Sequence, residues 1–209
     1  MDDQRKRVYS YRQYILDGVN CRDLIAAMIR EQIDEHLNGY LSPTYGQEVF
    51  AAAAGKLLNV ELEARDFRNS PYDEAERVAH DEAYRMAESQ VLDAIEENLP
   101  DDEEASEWNW EALAKWCNTR WGTNLRERDL KKVGRDGVAE LLIEKAHEAI
   151  GKVDLAECAR YLEPDFGRQT ACAWLRDKFA IEVSPDEVAD LEPAEFVDMA
   201  HQRETAAYD

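Results

Sequence analysis

The architecture of this chain follows from two stretches, WNWEALAKWCNTRWGTNLRERDLKKVGRDGV at residues 108–138 and FGRQTACAWLRDKFAIEVSPDEVADLEPAEF at residues 166–196. An ungapped offset of 58 residues aligns them, so that the apolar positions coincide over about 30 residues. The aligned pairs are Trp108 with Phe166, Trp116 with Trp174, Trp121 with Phe179, Leu125 with Val183, Leu130 with Val188, Val133 with Leu191 and Val138 with Phe196. Because the match includes loops as well as amphipathic helical segments, it predicts two copies of a small helical module.

The two predicted modules span about 108–150 and 166–208. No segment shows a convincing alternation of apolar and polar residues, so we expect an all-α fold. The expected organisation is a helical segment at 1–39, a helical insertion with an acidic linker at 40–107, a first module at 108–150 and a second at 151–209.

The segment before residue 40 predicts two helices separated by Asp17-Gly18. The second of them places one set of apolar residues on one face, namely Leu24, Ile25, Met28, Ile29, Ile33 and Leu37. A stripe of this width is typical of a helix that packs against another surface, which lies either within this chain or outside it.

The insertion predicts a short alanine-rich helix from Gln47 to Leu58 and a long helix that starts near Ser70-Pro71 and runs to about Leu99. The residues expected to point inward from the long helix are Val78, Tyr84, Val91, Leu92 and Ile95. The acidic run at 101–104 predicts a solvated linker.

The net charge limits the classes of partner that the chain is expected to bind. It has 25 Lys and Arg against 46 Asp and Glu, which gives a formal net charge of −21. Such an excess repels nucleic-acid phosphates and anionic lipid, so we expect neither to bind through bulk charge. The same excess fits simple solubility as well as an acidic docking face. No stretch approaches the ~20 apolar residues of a membrane span, which favours a cytosolic chain.

Catalytic and metal-binding patterns are not found in the sequence. It has no P-loop, no nucleophile elbow and no pair of histidines at metal-ligand spacing. The four cysteines, Cys21, Cys117, Cys158 and Cys172, have no C-x-x-C spacing and are interpreted as small core residues. The sequence therefore predicts no catalytic residue, no metal and no bound cofactor.

The N-terminal string DDQRKRVYSYRQYILD, residues 2–17, resembles a segment of SecA proteins that reads approximately N-D-Q-R-x-x-x-Y-x-x-R-x-x-[IL]-L. The matching positions are Asp3, Gln4, Arg5, Tyr9, Arg12, Ile15 and Leu16. A second resemblance begins at Trp108, because SecA wing domains carry a tryptophan, then Asp or Asn, a leucine, an aromatic residue and another leucine. Trp108, Asn109, Leu113, Trp121 and Leu125 fit that order.

The resemblance implies that residues 2–17 belong to the long helix of the SecA helical scaffold and that the modules are helical wing domains. It implies interdomain contacts through Gln4, Arg5, Tyr9 and Arg12. The implied wing core consists of Trp108, Leu113, Trp116, Trp121, Leu125, Trp174 and Phe179. Arg5, Tyr9 and Arg12 also share one helix face by their spacing, which without the resemblance fits an ordinary solvated face.

By the same resemblance, the parent motor uses ATP and Mg²⁺ to move preproteins through the SecYEG channel, and it associates peripherally with the plasma membrane from the cytoplasm. This chain would then be a non-catalytic fragment whose partners are the other domains of the motor, with SecYEG and preprotein as partners of the parent. Two other hypotheses stay open: an independent acidic helical adaptor, and an enzyme whose site forms only on folding. An exposed apolar stripe on the helix before residue 40 would favour the fragment.

Overall fold

The structure is a computed structural model that describes residues 9, 21–100 and 104–208. The predictions for residues 2–8, 10–20 and 101–103 lie outside these described residues. Within them the chain is helical and contains no strand, so the predicted all-α class is confirmed. The α-helices are α1 (Cys21–Tyr40), α2 (Tyr45–Leu58), α3 (Tyr72–Asn98), α4 (Trp110–Trp121), α5 (Glu127–Val133), α6 (Arg135–Ile150), α7 (Phe166–Phe179) and α8 (Pro193–Tyr208). Short 3-10 helices lie at Ala64–Phe67, Ala156–Leu162 and Pro185–Val188.

The chain divides into two compact units. Unit 1 consists of residues 1–45 and 164–209, and unit 2 is the intervening segment 46–163. Unit 2 is therefore inserted, in sequence, between the two halves of unit 1. The four domain ranges predicted from the sequence, with their scaffold and wing identities, stay predictions.

In unit 1, helix α1 packs against α7 and α8. The core between them combines residues from both halves of the unit: Ile33, Leu37, Ala171, Cys172, Leu175, Ile181, Val183, Val188, Phe196 and Ala200. Burial of these apolar side chains holds the two halves together, although more than a hundred residues separate them along the chain.

In unit 2, helix α3 packs against α6 and also contacts α4. One core lies between α3 and the α4–α6 module, with Val91, Leu113, Leu130, Val138 and Leu142 among its members. A second core joins α3 to α2, to the C-terminal part of α6 and to the 3-10 helices at Ala64–Phe67 and Ala156–Leu162. On this side the α3 face carries small residues, Ala75, Ala79, Ala83 and Ala87, all of them buried.

The offset of 58 residues found in the sequence recurs in the structure. Helices α4 and α7 end 58 residues apart, at Trp121 and Phe179, and both ends of α6 and α8 differ by the same offset. The residue after each first helix is left-handed, with φ of 63° at Gly122 and 55° at Ala180. The turn that follows is also shared, because an acid accepts from a backbone N–H three residues earlier: Asp129 from Arg126 at 3.0 Å, and Glu187 from Ser184 at 2.9 Å.

The same offset also relates α1 to α3, which the sequence analysis did not predict. Ile33 and Leu37 of α1 are fully buried against the module of unit 1. Val91 and Ile95, at the equivalent positions of α3, are buried against the module of unit 2. Each unit thus contains one long helix and one module in the same register, and unit 2 contains α2 and two 3-10 helices in addition.

The two halves of unit 1 meet closely where the insertion leaves and returns. The rings of Tyr45 and Phe166 are stacked, with centroids 5.6 Å apart and planes 9° from parallel. Nearby, a Cβ atom added to Gly167 would overlap the backbone carbonyl of Tyr40, so only glycine fits there. The insertion therefore leaves the packing of unit 1 continuous.

One prediction for α3 is wrong. Leu92 was expected to point inward, but its side chain is 55% exposed. The buried face is formed instead by the alanines, because α3 approaches the rest of unit 2 closely enough that only small side chains fit. Val91 and Ile95 are buried as expected.

Candidate functional site

The interdomain contact residues predicted by the resemblance are mostly outside the described part of the chain. Gln4, Arg5 and Arg12 lie there, so the structure neither places them nor tests their role. Tyr9 is helical and 63% exposed. An exposed tyrosine of this kind is available for contact with another surface.

The aromatic residues predicted for the wing core form matching pairs in the two units. Trp116 and Trp121 meet edge to face, with centroids 5.0 Å apart and planes at 87°. Trp174 and Phe179 repeat this arrangement at 5.2 Å and 86°. Edge-to-face packing is a favoured geometry for aromatic rings, so both modules use the same contact to fix the end of their first helix.

The other predicted core residues differ in burial. Leu113 is fully buried, whereas Leu125 is half-buried and packs against the same core. Trp108 is also half-buried: its indole Nε1 donates to the Pro100 carbonyl at 3.0 Å, and the Arg135 guanidinium lies 5.9 Å from its ring centroid. This tryptophan therefore ties the start of the module to the end of α3.

A polar clasp between α1 and α8 was not predicted. The carboxylate of Glu204 is 1% exposed and accepts from Arg30 Nε at 3.1 Å, while Arg30 also donates to Thr205. One turn away, His201 Nε2 lies 2.7 Å from Asp34. In unit 2 the positions equivalent to Arg30 and Thr205 are Glu88 and His147, which lie 3.3 Å apart.

The packing of α1 on α8, across which this clasp lies, could have been found by extending the offset of 58 backward from the modules to the preceding helices. That extension pairs Ile33 with Val91, Leu37 with Ile95 and Leu41 with Leu99. It would have predicted that α1 packs on α8 as α3 packs on α6.

The described residues contain few groups suited to catalysis or metal binding. Within 21–100 and 104–208, no cluster of three His, Cys, Asp or Glu side chains has the geometry to hold a metal ion. Burial raises the pKa of the Cys117, Cys158 and Cys172 thiols, so each stays protonated and a poor nucleophile near neutral pH. Across the same described residues, no helix is long and apolar enough to span a membrane.

Among the described residues of unit 1, two large aliphatic side chains on the N-terminal half of α1 are exposed. The sequence stripe is buried only in part, because Ile33 and Leu37 are fully buried but Ile25 is 56% and Met28 40% exposed. The apolar stripe of α1 therefore extends beyond the core of its own unit.

Comparison with known proteins gives one full-length match. All 209 residues of the chain are 43% identical to a segment of protein translocase subunit SecA 1 of Rhodopirellula baltica, and they span 17% of the length of that relative. The match includes both units, so that relative also contains residues corresponding to the insertion. No protein-family model matches the chain, and no solved structure matches it.

Proposed function

Because this chain is homologous along its whole length to part of SecA, we propose that it forms the non-catalytic scaffold and wing portion of a SecA translocation motor. In this proposal residues 2–17 contribute to the scaffold helix, and the module units act as helical wings. ATP and Mg²⁺ are bound by other domains of the motor, which moves preproteins through SecYEG at the cytoplasmic face of the plasma membrane.

The full-length match to SecA 1 carries this proposal. The surface of α1 supports it, since Ile25 and Met28 extend an apolar stripe beyond the core of unit 1. A scaffold element is expected to keep such a surface for neighbouring domains. An independent adaptor is expected to bury it, so the same observation disfavours that alternative.

The proposal assigns the part of unit 1 after residues 2–17 as one wing, and unit 2 as a second wing inserted into it. The register of 58 residues supports this assignment, because each unit pairs one long helix with one module. The two units share the left-handed helix end and the backbone-capping acid, at Gly122 and Asp129 in one and at Ala180 and Glu187 in the other.

A reconstitution experiment tests the proposal. The chain is mixed with a separately expressed portion of Rhodopirellula baltica SecA 1 that carries the nucleotide-binding domains, and both complex formation and ATP turnover are measured. We expect association that changes the turnover rate and is lost in the variant Arg5→Glu with Arg12→Glu. The matched control, Arg65→Glu with Arg77→Glu, changes two exposed arginines of unit 2 and is expected to associate normally. Absence of association, with turnover unchanged, would contradict the proposal.

A further inference from the structure

One turn of the module has opposite charge in the two units. Residues 126–135 of unit 2, which include α5, contain five Arg and Lys against two acids. The equivalent residues 184–193 of unit 1 contain four acids and no Arg or Lys. The whole chain has 46 acids against 25 Arg and Lys, so the turn in unit 2 is a local basic patch on an acidic chain.

Three of these cations lie on one face of α5. Arg128, Lys131 and Lys132 are three and four positions apart, a spacing that places side chains next to one another on a helix surface. All three residues are exposed, and we call them the basic face of α5. The equivalent residues of unit 1, which are also exposed, are Asp186, Ala189 and Asp190.

The fold does not require the charges of the basic face. Both turns follow a left-handed residue, and in both an acid accepts from a backbone N–H three residues earlier. Leu130 and Val188 hold equivalent positions in the two turns and are both fully buried. Because unit 1 forms this turn with two aspartates and an alanine at the positions of the basic face, the cations serve another purpose in unit 2.

Contacts within unit 2 leave part of this positive charge unpaired. The helix dipole favours Lys131 and Lys132, in the last turn of α5, but disfavours Arg128, which lies in the first turn. Arg128 Nε lies 3.7 Å from Asp129, whose other carboxylate oxygen accepts from the backbone. Lys131 pairs with Glu127 at 2.5 Å, whereas Lys132 contacts no carboxylate in the part of the chain that the structure describes. Stability of α5 therefore does not explain the basic face.

The size of the basic face favours a short acidic segment over an extended anionic surface. The seven residues of α5 measure about 10 Å along the helix axis. A membrane or a nucleic acid presents negative charge far beyond this length and is repelled by the rest of a chain whose net charge is −21. A peptide that contacts the basic face alone is screened from most of the distant acids, because the Debye length is about 8 Å at physiological ionic strength.

We propose that the basic face of α5 binds an acidic segment of another protein, in which three or more Asp or Glu residues lie close together. Their carboxylates accept hydrogen bonds from the Arg128 guanidinium and from the ammonium groups of Lys131 and Lys132. The equivalent turn of unit 1 carries acids and repels such a segment. The inference is independent of the translocation role proposed above, since it rests on the comparison of the two turns.

An acidic peptide tests this site on the full chain. The probe is fluorescein-labelled hexaglutamate, and hexaglutamine is its uncharged control. We expect saturable binding of hexaglutamate by fluorescence anisotropy in about 0.1 M salt. The test variant, Arg128→Asp with Lys131→Ala and Lys132→Asp, gives unit 2 the residues that unit 1 has at these positions, so it is expected to fold. We expect it to weaken binding about tenfold, because it removes the charge-assisted hydrogen bonds.

The reciprocal variant moves the basic face to unit 1. Asp186→Arg with Ala189→Lys and Asp190→Lys gives unit 1 the residues that α5 has at these positions. We expect this variant to bind a second hexaglutamate peptide per chain, measured as the stoichiometry of the titration. Circular dichroism verifies that both variants are folded.

A matched control separates the basic face from the net charge of the chain. Arg65→Glu with Arg77→Glu and Lys152→Glu reverses three exposed cations elsewhere in unit 2 and is expected to bind hexaglutamate as the unaltered chain does. Binding that is absent, or unchanged in the test variant, would overturn the proposal. Tighter binding through the same three residues to vesicles of equal parts phosphatidylglycerol and phosphatidylcholine would also overturn it, because the partner would then be lipid. A tenfold gain when the acids at 101–104 are changed to their amides would overturn it too, since the occupant would then be the chain's own acidic run.

Discussion

Ala180 and Gly122 provide a reciprocal test at the scale of single residues. Both are left-handed, with φ of 55° and 63°, but only glycine adopts this conformation without a steric cost. We expect Ala180→Gly to raise the free energy of unfolding of unit 1 by about 0.5 kcal/mol, since relief of the strain exceeds the entropy that glycine adds to the unfolded chain. Gly122→Ala is expected to lower that of unit 2 by about 1 kcal/mol. Hydrogen exchange measured separately for each unit distinguishes the two effects, and changes of the same sign would contradict the prediction.

Arg30 and Glu204 give a second prediction at this scale. Arg30→Ala leaves the Glu204 carboxylate, which is 1% exposed, without its charged partner, and a buried charge that loses its partner is costly. Because Arg30 is half exposed, we discount the penalty to about 1–2 kcal/mol, measured as lost hydrogen-exchange protection in α1 and α8. The control is Arg176→Ala, which removes an exposed pair with Asp177 and is expected to change stability by less than about 0.5 kcal/mol. Equal effects of the two variants would show that burial of Glu204 does not matter.

Helices α1 and α3 differ on one face. On this face α3 has alanines, whereas α1 has large apolar residues. Ala83→Ile places two extra branches in a filled core, so we expect it to destabilise unit 2 by about 1–3 kcal/mol. Ile25→Ala makes the reverse change at the equivalent exposed position and is expected to alter unit 1 by less than about 0.5 kcal/mol. Urea unfolding, detected by hydrogen exchange in each unit, compares the changes in the free energy of unfolding that the two variants cause. A large loss in Ile25→Ala would mean that the face is already covered.

At the scale of elements, the sequence predicts where the helices lie in the chain better than it predicts which helices pack together. Paired apolar residues and shared turns predict the two modules, because periodicity and capping are local properties. The alanine face of α3 escapes prediction, since alanine carries little hydrophobic signal and its burial depends on how closely another helix approaches. Leu92 misleads for the opposite reason, because an apolar residue can lie in solvent. The partner of α1 is also hidden, as it lies more than a hundred residues away in the chain.

At the scale of the whole molecule, the account holds that unit 2 is a second copy of the arrangement in unit 1, inserted at a point where that unit remains continuous. The proposed contact residues of the scaffold, Gln4, Arg5, Tyr9 and Arg12, follow from the sequence resemblance alone. The insertion point follows from the structure, in which Tyr45 stacks on Phe166.

Deletion of the insertion tests this claim most directly. Residues 46–163 are replaced by Gly-Ser-Gly, which joins Tyr45 to Pro164, and hydrogen exchange is measured in α1, α7 and α8. We predict that the shortened chain folds and protects these helices as the full chain does, because the core of unit 1 uses no residue of the insertion. Loss of protection in all three helices, with the shortened chain unfolded, would contradict the account.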